Sequence, residues 1–143
     1  MADVLTVAQR SKCMAAIKCA NTTPEIAVRR IVHGMGFRFR LHGSKLPGKP
    51  DLVLTRMRAV IFVHGCFWHQ HHCSDGHIPR SRVEYWGPKL TRNRRRDASN
   101  RRRIRKLGWR ILTIWECQTQ DQVALGKRLR DFLFRKKFQR HKT

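Results

Sequence analysis

A short segment near the middle of the chain concentrates thiols and imidazoles, the side chains that zinc prefers as ligands. Residues 64–73 read His-Gly-Cys-Phe-Trp-His-Gln-His-His-Cys. A structural zinc site takes four such ligands in a tetrahedron. The chain offers a set of this kind in Cys66, His71, Cys73 and Cys117. We therefore expect structural zinc that ties the irregular segment to the end of a later strand.

Several alternatives remain open at this site. His72 or His77 could replace His71 as a ligand, because the spacing does not discriminate between them. Cys117 could instead be a buried thiol at a strand end, as free cysteines often are, with the histidines forming a surface tract. The chain has 5 cysteines, and an odd number does not favour a disulfide framework. The two cysteines in the first twenty residues are expected to remain free.

Asp51 stands where a second metal could bind. It opens a predicted strand after a Gly-Lys-Pro turn, and its carboxylate suits Mg²⁺, which prefers oxygen ligands and keeps several waters. The next predicted strand ends at Val63, whose main-chain carbonyl could be another oxygen ligand. His64 and His69 would flank this site, and an imidazole near neutral pH can activate water or supply a proton. These residues together predict metal-assisted hydrolysis.

Two more acids complete the candidate catalytic set. Asp97 is the only acid in the basic stretch from Lys89 to Lys106. It either orients a histidine or forms an internal salt bridge. Glu25 lies near a predicted helix start, where the helix dipole alone would explain an acid. The sequence leaves both interpretations of each residue open.

The charge of the chain points to a polyanionic partner. Its 143 residues include 32 Lys and Arg against 9 Asp and Glu, a formal net charge of +23. Such a surface attracts nucleic acid above all, although composition also allows ribosome association or binding to an anionic membrane. No apolar run is long enough to span a membrane, and no signal peptide is recognisable. We expect a soluble cytoplasmic protein of one domain.

The elements that must position these side chains alternate between helix and strand. Thr23-Pro24-Glu25 predicts a helix start, with Thr23 as the hydroxyl N-cap and proline in the first turn. Gly34 and Gly36 predict the end of that helix. Strands are predicted over residues 37–41, 51–54 and 59–63. A turn over residues 55–58 would join the last two, although it lacks the usual glycine.

An irregular segment, residues 64–88, separates these strands from the second half of the chain. The elements predicted there are a basic helix at 89–107, a strand at 109–115 and an amphipathic helix at 121–138. The last helix has a predicted apolar side made of Val123, Leu125, Leu129, Phe132 and Leu133. This order predicts a single α/β domain over residues 21–143, preceded by an arm over residues 1–20.

Taken together, these motifs resemble the very short patch repair (Vsr) mismatch endonucleases of bacteria. The most specific match is Gly65-Cys66-Phe67-Trp68-His69-x-His71-x-Cys73, and the turn Leu46-Pro47-Gly48-x-Pro50-Asp51 is moderately specific. Further matches are Arg10-Ser11-Lys12-x-Met14, Glu25, Val60-Ile61-Phe62-x-His64, Trp86, Asp97 and Gly108-Trp109-Arg110-Ile111-x-x-x-Trp115-Glu116-Cys117. The resemblance covers the chain from about residue 9 to residue 117.

The resemblance implies a restriction-endonuclease-like fold with a central mixed sheet flanked by helices. It implies a nick in one strand of double-stranded DNA, 5′ to the thymine of a thymine–guanine mismatch that arises by deamination of 5-methylcytosine. We therefore expect a monomeric DNA-repair endonuclease, with mismatch-repair proteins as candidate partners. Two alternatives are a related restriction-type nuclease that cuts matched DNA and a non-catalytic zinc-containing DNA-binding module.

The resemblance also implies a role for each site residue. The catalytic set would be Asp51, His64, His69, Asp97 and Glu25. Within it, His69 would be the general base and Asp97 would orient it, with the other histidine and the glutamate in support. Asp51 would bind Mg²⁺ together with the carbonyl of Val63. The same Cys and His residues as above, Cys66, His71, Cys73 and Cys117, would hold structural zinc.

Three apolar residues match family positions that insert into DNA. Phe67 and Trp68 would wedge into the base stack beside the mismatch, and Met14 would enter from the N-terminal arm. Such wedges cost a few kcal/mol per unstacked step, least at a mismatch, so the difference itself can give selectivity. Packing around the zinc site is the alternative explanation for the two aromatic residues.

Two features depart from related patterns. No acid-x-Lys sequence follows Asp51, as it would in restriction enzymes generally; the resembled family also lacks it and uses histidine. The C-terminal run from Lys127 to Lys142 is strongly basic, with Asp131 as its one acid. It is either a solvated helix face or an additional phosphate contact. We expect DNA affinity to fall by orders of magnitude between about 50 and 200 mM salt.

Overall fold

The structure, a computed structural model, describes residues 22–73 and 82–135. Within these ranges the helices are α1 (Thr23–Gly34), α2 (Val83–Lys106) and α3 (Gln122–Leu133). The strands are β1 (Arg40–Leu41), β2 (Leu52–Leu54), β3 (Ala59–His64) and β4 (Arg110–Trp115). The prediction of an α/β protein with a mixed sheet is therefore confirmed. None of the helices in this part of the chain is long and apolar enough to cross a membrane.

The four strands form one sheet in the order β1-β2-β3-β4. The first two pairings are antiparallel, whereas β3 and β4 run parallel. A parallel pair needs a long crossover connection, and α2 supplies it. In the β3–β4 register His64 lies beside Trp115. The segments that follow these two strands, which carry Cys66 and Cys117, therefore emerge at the same edge of the sheet.

Strand β3 lies between the two apolar clusters of the core because its side chains alternate between the faces of the sheet. Ala59 and Ile61 belong to the cluster that α1 and α3 cover. The helices contribute Val28, Val32, Leu125, Leu129 and Leu133 to that cluster. Val60 and Phe62 face the other way and pack with Ile104 of α2. Helices on both faces hold β3 rigidly, so the residues at its end have fixed positions.

The helix boundaries differ from the predictions in two instructive places. The N-cap of α1 is Thr22 rather than Thr23, and its hydroxyl accepts a hydrogen bond from the Glu25 N–H at 3.4 Å; two adjacent threonines are equally suited to the role. Helix α2 begins at Val83, six residues before the predicted Lys89. Pro88 lies inside the helix, where it costs one backbone hydrogen bond without ending the helix.

Other differences concern the edges of elements. Only residues 40–41 of the predicted first strand pair with a neighbour. In α3, three of the five predicted apolar residues are buried, namely Leu125, Leu129 and Leu133. Val123 is 85% exposed, because it is two residues from buried Leu125 and therefore lies about 200° around the helix, on the opposite face. The helix ends at Leu133, and the predicted end near Phe138 lies outside the described residues.

Candidate active site and metal centre

A cleft of about 440 Å³ opens at the end of β3. Its lining includes the predicted set Glu25, Asp51, Val63, His64, His69 and Asp97. These residues come from α1, the start of β2, β3, the loop after β3 and α2. The same cleft is lined by His42, Lys49 and Arg101, which sequence reasoning did not single out. The fold thus brings every described member of the predicted catalytic set to one place.

Asp51 is held at the start of β2 by the neighbouring strand. Its Oδ2 accepts a hydrogen bond from the main-chain N–H of Val63 at 2.6 Å. Burial raises the pKa of Asp51 to about 6, the carboxylate of Glu25 adds to this, and the Val63 hydrogen bond opposes it. A carboxylate whose charge is disfavoured in this way gains when a cation binds beside it. The cleft therefore has the electrostatic character of a cation site.

His64, His69 and Asp97 form a compact group on the other side of the cleft. Nδ1 of His69 lies 2.5 Å from Oδ2 of Asp97. The rings of His64 and His69 stack with centroids 3.8 Å apart and planes 8° from parallel. Among the described residues, Asp97 thus pairs with a histidine rather than with one of the arginines around it in the sequence.

His64 is the most buried member of this group, with 6% of its surface exposed. Burial, followed by the neighbouring His69, lowers its pKa to about 3. The ring is therefore neutral at physiological pH. Its Nδ1 is buried and has no hydrogen-bond partner within the described residues. A buried polar atom of this kind, in the wall of a cleft, is available to a molecule that enters the cleft.

Glu25 faces the cleft from α1 and is only 4% exposed. This burial excludes the interpretation that it is merely a surface acid at a helix start. The guanidinium of Arg29 lies 3.1 Å from Glu25 Oε2 and 3.4 Å from His42 Nε2. Sequence reasoning missed Arg29 and His42. The i,i+4 spacing of Arg29 from Glu25 was a signal for the first, whereas the second depends on the register of a hairpin.

The four predicted zinc ligands also lie together. One donor atom from each of Cys66, His71, Cys73 and Cys117 lies within 4.8 Å of the others. Cys117 Sγ is 3.5 Å from His71 Nδ1, and a tetrahedral zinc site with ordinary bond lengths requires a separation of about 3.6 Å between sulfur and nitrogen. His72 does not belong to this group, and His77 lies outside the described residues.

The chemistry of these donors fits zinc as well as their geometry does. Cys66 is fully buried, and burial raises the pKa of its thiol to about 12. Burial also raises the pKa of Cys117 and lowers that of His71. Thiols in such surroundings become thiolates only beside a cation, and a neutral imidazole is the form that binds metal. We conclude that the residues fit a structural zinc ion.

Trp115 lies between the cysteine-rich group and the two stacked histidines of the cleft. Its indole stacks on His71, with centroids 4.3 Å apart and planes at 19°. It also meets the ring of His64 edge-on at 5.3 Å. Sequence reasoning assigned no role to this residue, because its position follows from the β3–β4 register. Both groups of residues therefore contact the same indole ring, that of Trp115.

The two predicted wedge residues lie in an aromatic cluster together with Trp86. Phe67 lies 5.2 Å from Trp68 and 5.3 Å from Trp86, measured between ring centroids, and the rings meet edge to face. The ammonium of Lys89 lies 5.6 Å from the Trp68 ring. All three aromatic rings are partly exposed and none belongs to the core clusters. Met14, the third predicted wedge, lies outside the described residues.

Known proteins resemble the chain over almost its whole length. The family model described as DNA mismatch endonuclease Vsr matches residues 2–75. Type II nicking enzyme V.XorIIP of Xanthomonas oryzae pv. oryzae is 46% identical over 133 residues, which are 93% of this chain and 98% of that protein. DNA mismatch endonuclease Vsr of Escherichia coli is 41% identical over 138 residues, 93% and 88% of the two chains. Type II nicking enzyme V.NmeAIP of Neisseria meningitidis is 39% identical over 129 residues, 90% and 92% of the two chains.

Proposed function

Because the chain belongs to the DNA mismatch endonuclease Vsr family, we propose that it nicks one strand of double-stranded DNA 5′ to the thymine of a thymine–guanine mismatch. Deamination of 5-methylcytosine creates this mismatch, so the nick would begin very short patch repair. One observation carries the proposal: Asp51 and the His69–Asp97 pair line the same cleft. A carboxylate for a metal and an oriented base are the two parts that metal-assisted hydrolysis needs.

We also propose a fold class and a domain organisation for the chain. The mixed sheet, with Asp51 at the start of one strand and helices on both faces, supports a restriction-endonuclease-like fold. Residues 21–143 would form the endonuclease domain, and residues 1–20 would form an arm that carries Met14 to the DNA. The enzyme would act as a monomer on the bacterial nucleoid in the cytoplasm, with mismatch-repair proteins as candidate partners.

Asp51 and the main-chain carbonyl of Val63 would hold Mg²⁺. When bound, Mg²⁺ would polarise the scissile phosphate and make water a better nucleophile. The chain itself keeps Asp51 in place through the Val63 N–H, which holds one carboxylate oxygen at 2.6 Å. Lys49 and Arg101 line the same cleft, and their charges would attract the phosphate that is to be cut.

His69 would act as the general base. Asp97 would accept a hydrogen bond from the Nδ1–H of His69, which leaves the lone pair on Nε2 to receive a proton from the attacking water. His64 stacks against His69 at 3.8 Å, so it limits rotation of the base. Since its pKa is about 3, His64 stays neutral and does not repel the proton that His69 accepts. The water oxygen would then bond to phosphorus while the P–O bond to one sugar oxygen breaks, and that leaving oxygen would take a proton from solvent.

Zinc would have a structural part in this enzyme. Four protein donors leave no open coordination position for substrate. Three of the donors lie in the loop after β3, and Cys117 follows β4. His69 lies between Cys66 and His71 in that loop, so the metal would fix the base opposite Asp97. Hydrolysis itself would take place at Asp51.

The aromatic cluster would provide mismatch selectivity. Phe67 and Trp68 would enter the base stack, with Trp86 supporting them from α2. Their partial exposure and the cation at Lys89 suit a surface that meets stacked bases and phosphates together. Packing around zinc alone would not require these rings to stay partly exposed. Opening the stack costs least at a mismatch, so matched DNA would be cut more slowly.

A nicking assay tests the proposal. Two duplexes differ only in one base pair, a thymine–guanine mismatch or its cytosine–guanine parent, and the strands carry different labels. We expect Mg²⁺-dependent cleavage of the thymine strand alone, 5′ to the mismatched thymine. Cleavage of both strands of the parent would indicate a restriction-type nuclease. Binding without cleavage under all divalent cations would indicate a DNA-binding module and would refute the proposal.

A further inference from the structure

His42 lies beside Asp51 because of the hairpin that precedes β2. The His42 N–H donates to the carbonyl of Asp51 at 3.1 Å, and the Gly43 N–H donates to that of Pro50 at 2.9 Å. Residues that face each other across an antiparallel pair direct their side chains to the same side. His42 also has a left-handed backbone, with φ of 53°, which histidine adopts only infrequently. The chain thus holds an imidazole next to the carboxylate proposed to bind Mg²⁺.

Glu25 completes a group of three donors around the same point. One donor atom from each of Glu25, His42 and Asp51 lies within 4.8 Å of the other two. In a six-coordinate complex neighbouring ligand atoms are about 3 Å apart and opposite ones about 4 Å apart. Small side-chain rotations would bring these three atoms into that range. The three residues come from α1 and from both sides of the hairpin, so the fold, not local sequence, makes the group.

Arg29 shows that a cation is already accommodated there. Its guanidinium contacts Glu25 Oε2 at 3.1 Å and His42 Nε2 at 3.4 Å. A guanidinium can only donate hydrogen bonds, so the imidazole nitrogen that faces it presents a lone pair. An imidazole nitrogen with a lone pair is the form that binds a metal. Arg29 therefore holds two of the donors in a state that suits a metal ion, and its charge would compete with that ion.

We propose that Glu25, His42 and Asp51 are side-chain ligands of the catalytic cation, and that the imidazole of His42 makes the site prefer Mn²⁺ to Mg²⁺. The inference rests on the proposed function, since it concerns the same metal. Mg²⁺ favours oxygen ligands only, whereas the affinity of sites with nitrogen ligands rises along the first-row transition metals. Mn²⁺ is the member of that series that also accepts carboxylates and water readily. The oxygen ligands alone would not produce this preference.

Metal binding without DNA tests the inference. Zinc-loaded protein is titrated with Mn²⁺ and followed by the loss of the free-ion electron paramagnetic resonance signal, and Mg²⁺ is measured by competition. We expect His42→Gln to weaken Mn²⁺ binding by about tenfold or more and Mg²⁺ binding by much less. His33→Gln removes an exposed histidine of α1 and serves as the matched control. Arg29→Met should strengthen binding of both ions, because it removes the competing charge.

Spin-echo spectroscopy of bound Mn²⁺ gives a second readout. Coupling to an imidazole ¹⁴N should be present in the wild type and in His33→Gln, and it should be lost in His42→Gln. Coupling that persists in His42→Gln, or equal Mn²⁺ affinity in that variant and the wild type, would overturn the inference. The nicking assay above remains independent: mismatch cleavage by a protein that shows no ¹⁴N coupling would leave the proposed function standing without His42.

Discussion

Asp51→Asn should make the protein more stable while it abolishes cleavage. Burial raises the pKa of Asp51 from the usual 3.8 to about 6, so the folded protein prefers the protonated carboxyl. The protonated carboxyl contributes fully to the free energy of unfolding below about pH 4. This contribution is lost as the pH rises through 6. At pH 7.5 the ionised carboxylate then costs up to about 3 kcal/mol, since one pKa unit corresponds to about 1.4 kcal/mol.

Asparagine removes this cost with little change in shape. Its amide oxygen can still accept the hydrogen bond from the Val63 N–H, although an uncharged acceptor binds it less strongly. We therefore expect a gain of about 1–3 kcal/mol in the free energy of unfolding at pH 7.5, or roughly 3–10 °C in Tm. At pH 4.5 the wild-type carboxyl is protonated in the folded state, whereas the unfolded chain, with the usual pKa of 3.8, is still largely ionised. The gain should therefore fall to about a third of its value at pH 7.5.

Thermal unfolding in buffer freed of Mg²⁺ measures the effect. Zinc-loaded wild type and Asp51→Asn are compared at both pH values, and then again with Mg²⁺. The added ion should stabilise the wild type and narrow the difference, because it binds the carboxylate. A variant less stable than the wild type at pH 7.5, or a gain that is equally large at pH 4.5, would refute the reasoning. A variant that still nicks DNA would refute the metal assignment.

Three further results are expected. Cys66→Ser should lose bound zinc, which elemental analysis measures; full retention would contradict the proposed four-ligand site. Asp97→Asn should lower the nicking rate by about tenfold to a thousandfold, because the proposed base His69 loses its orientation. DNA affinity should change little. An unchanged rate and pH profile would show that the His69–Asp97 pair, 2.5 Å apart, is only structural. Trp68→Ala should reduce the rate ratio between mismatched and matched duplexes, while salt-dependent binding, measured by fluorescence anisotropy, stays within about threefold of the wild type. An unchanged rate ratio would favour packing around zinc as the role of that ring.

The sequence predicts the chemistry of this site better than it predicts the contacts. Asp51 and the cysteine–histidine segment are recognisable from residue type and spacing alone. The pairing of Asp97 with His69 spans 28 residues and depends on how α2 packs on the sheet. His42 was missed because its role follows from a hairpin register and a left-handed backbone. Neither a hairpin register nor a left-handed backbone leaves a periodic signal in the sequence.

The fold, like the site, is predicted less well where contacts between distant residues determine it. The continuous apolar run of β3 predicts a central strand correctly, because burial on both faces removes polar residues. The alternation over residues 37–41 predicts a strand that is mostly absent, because an edge strand needs a partner along its length and only two residues find one. Because of the proline at position 88, the sequence did not predict the first six residues of α2. The local sequence pattern predicts an element reliably where burial is complete. It predicts poorly where pairing with a neighbouring strand decides whether the element forms.

The parallel pairing of β3 and β4 would make the proposed structural zinc and the proposed hydrolysis depend on each other. It brings Cys117 to Cys66, whose Sγ accepts the Cys117 N–H at 3.4 Å, and it places Trp115 between His71 and His64. None of the four proposed zinc ligands belongs to either apolar cluster of the core, so the sheet should survive the loss of zinc. The loop that carries the proposed base should not. Zinc-free protein should therefore retain the Mg²⁺-dependent stabilisation that arises at the start of β2 and yet fail to nick DNA, and simultaneous loss of both would show that zinc supports the whole fold.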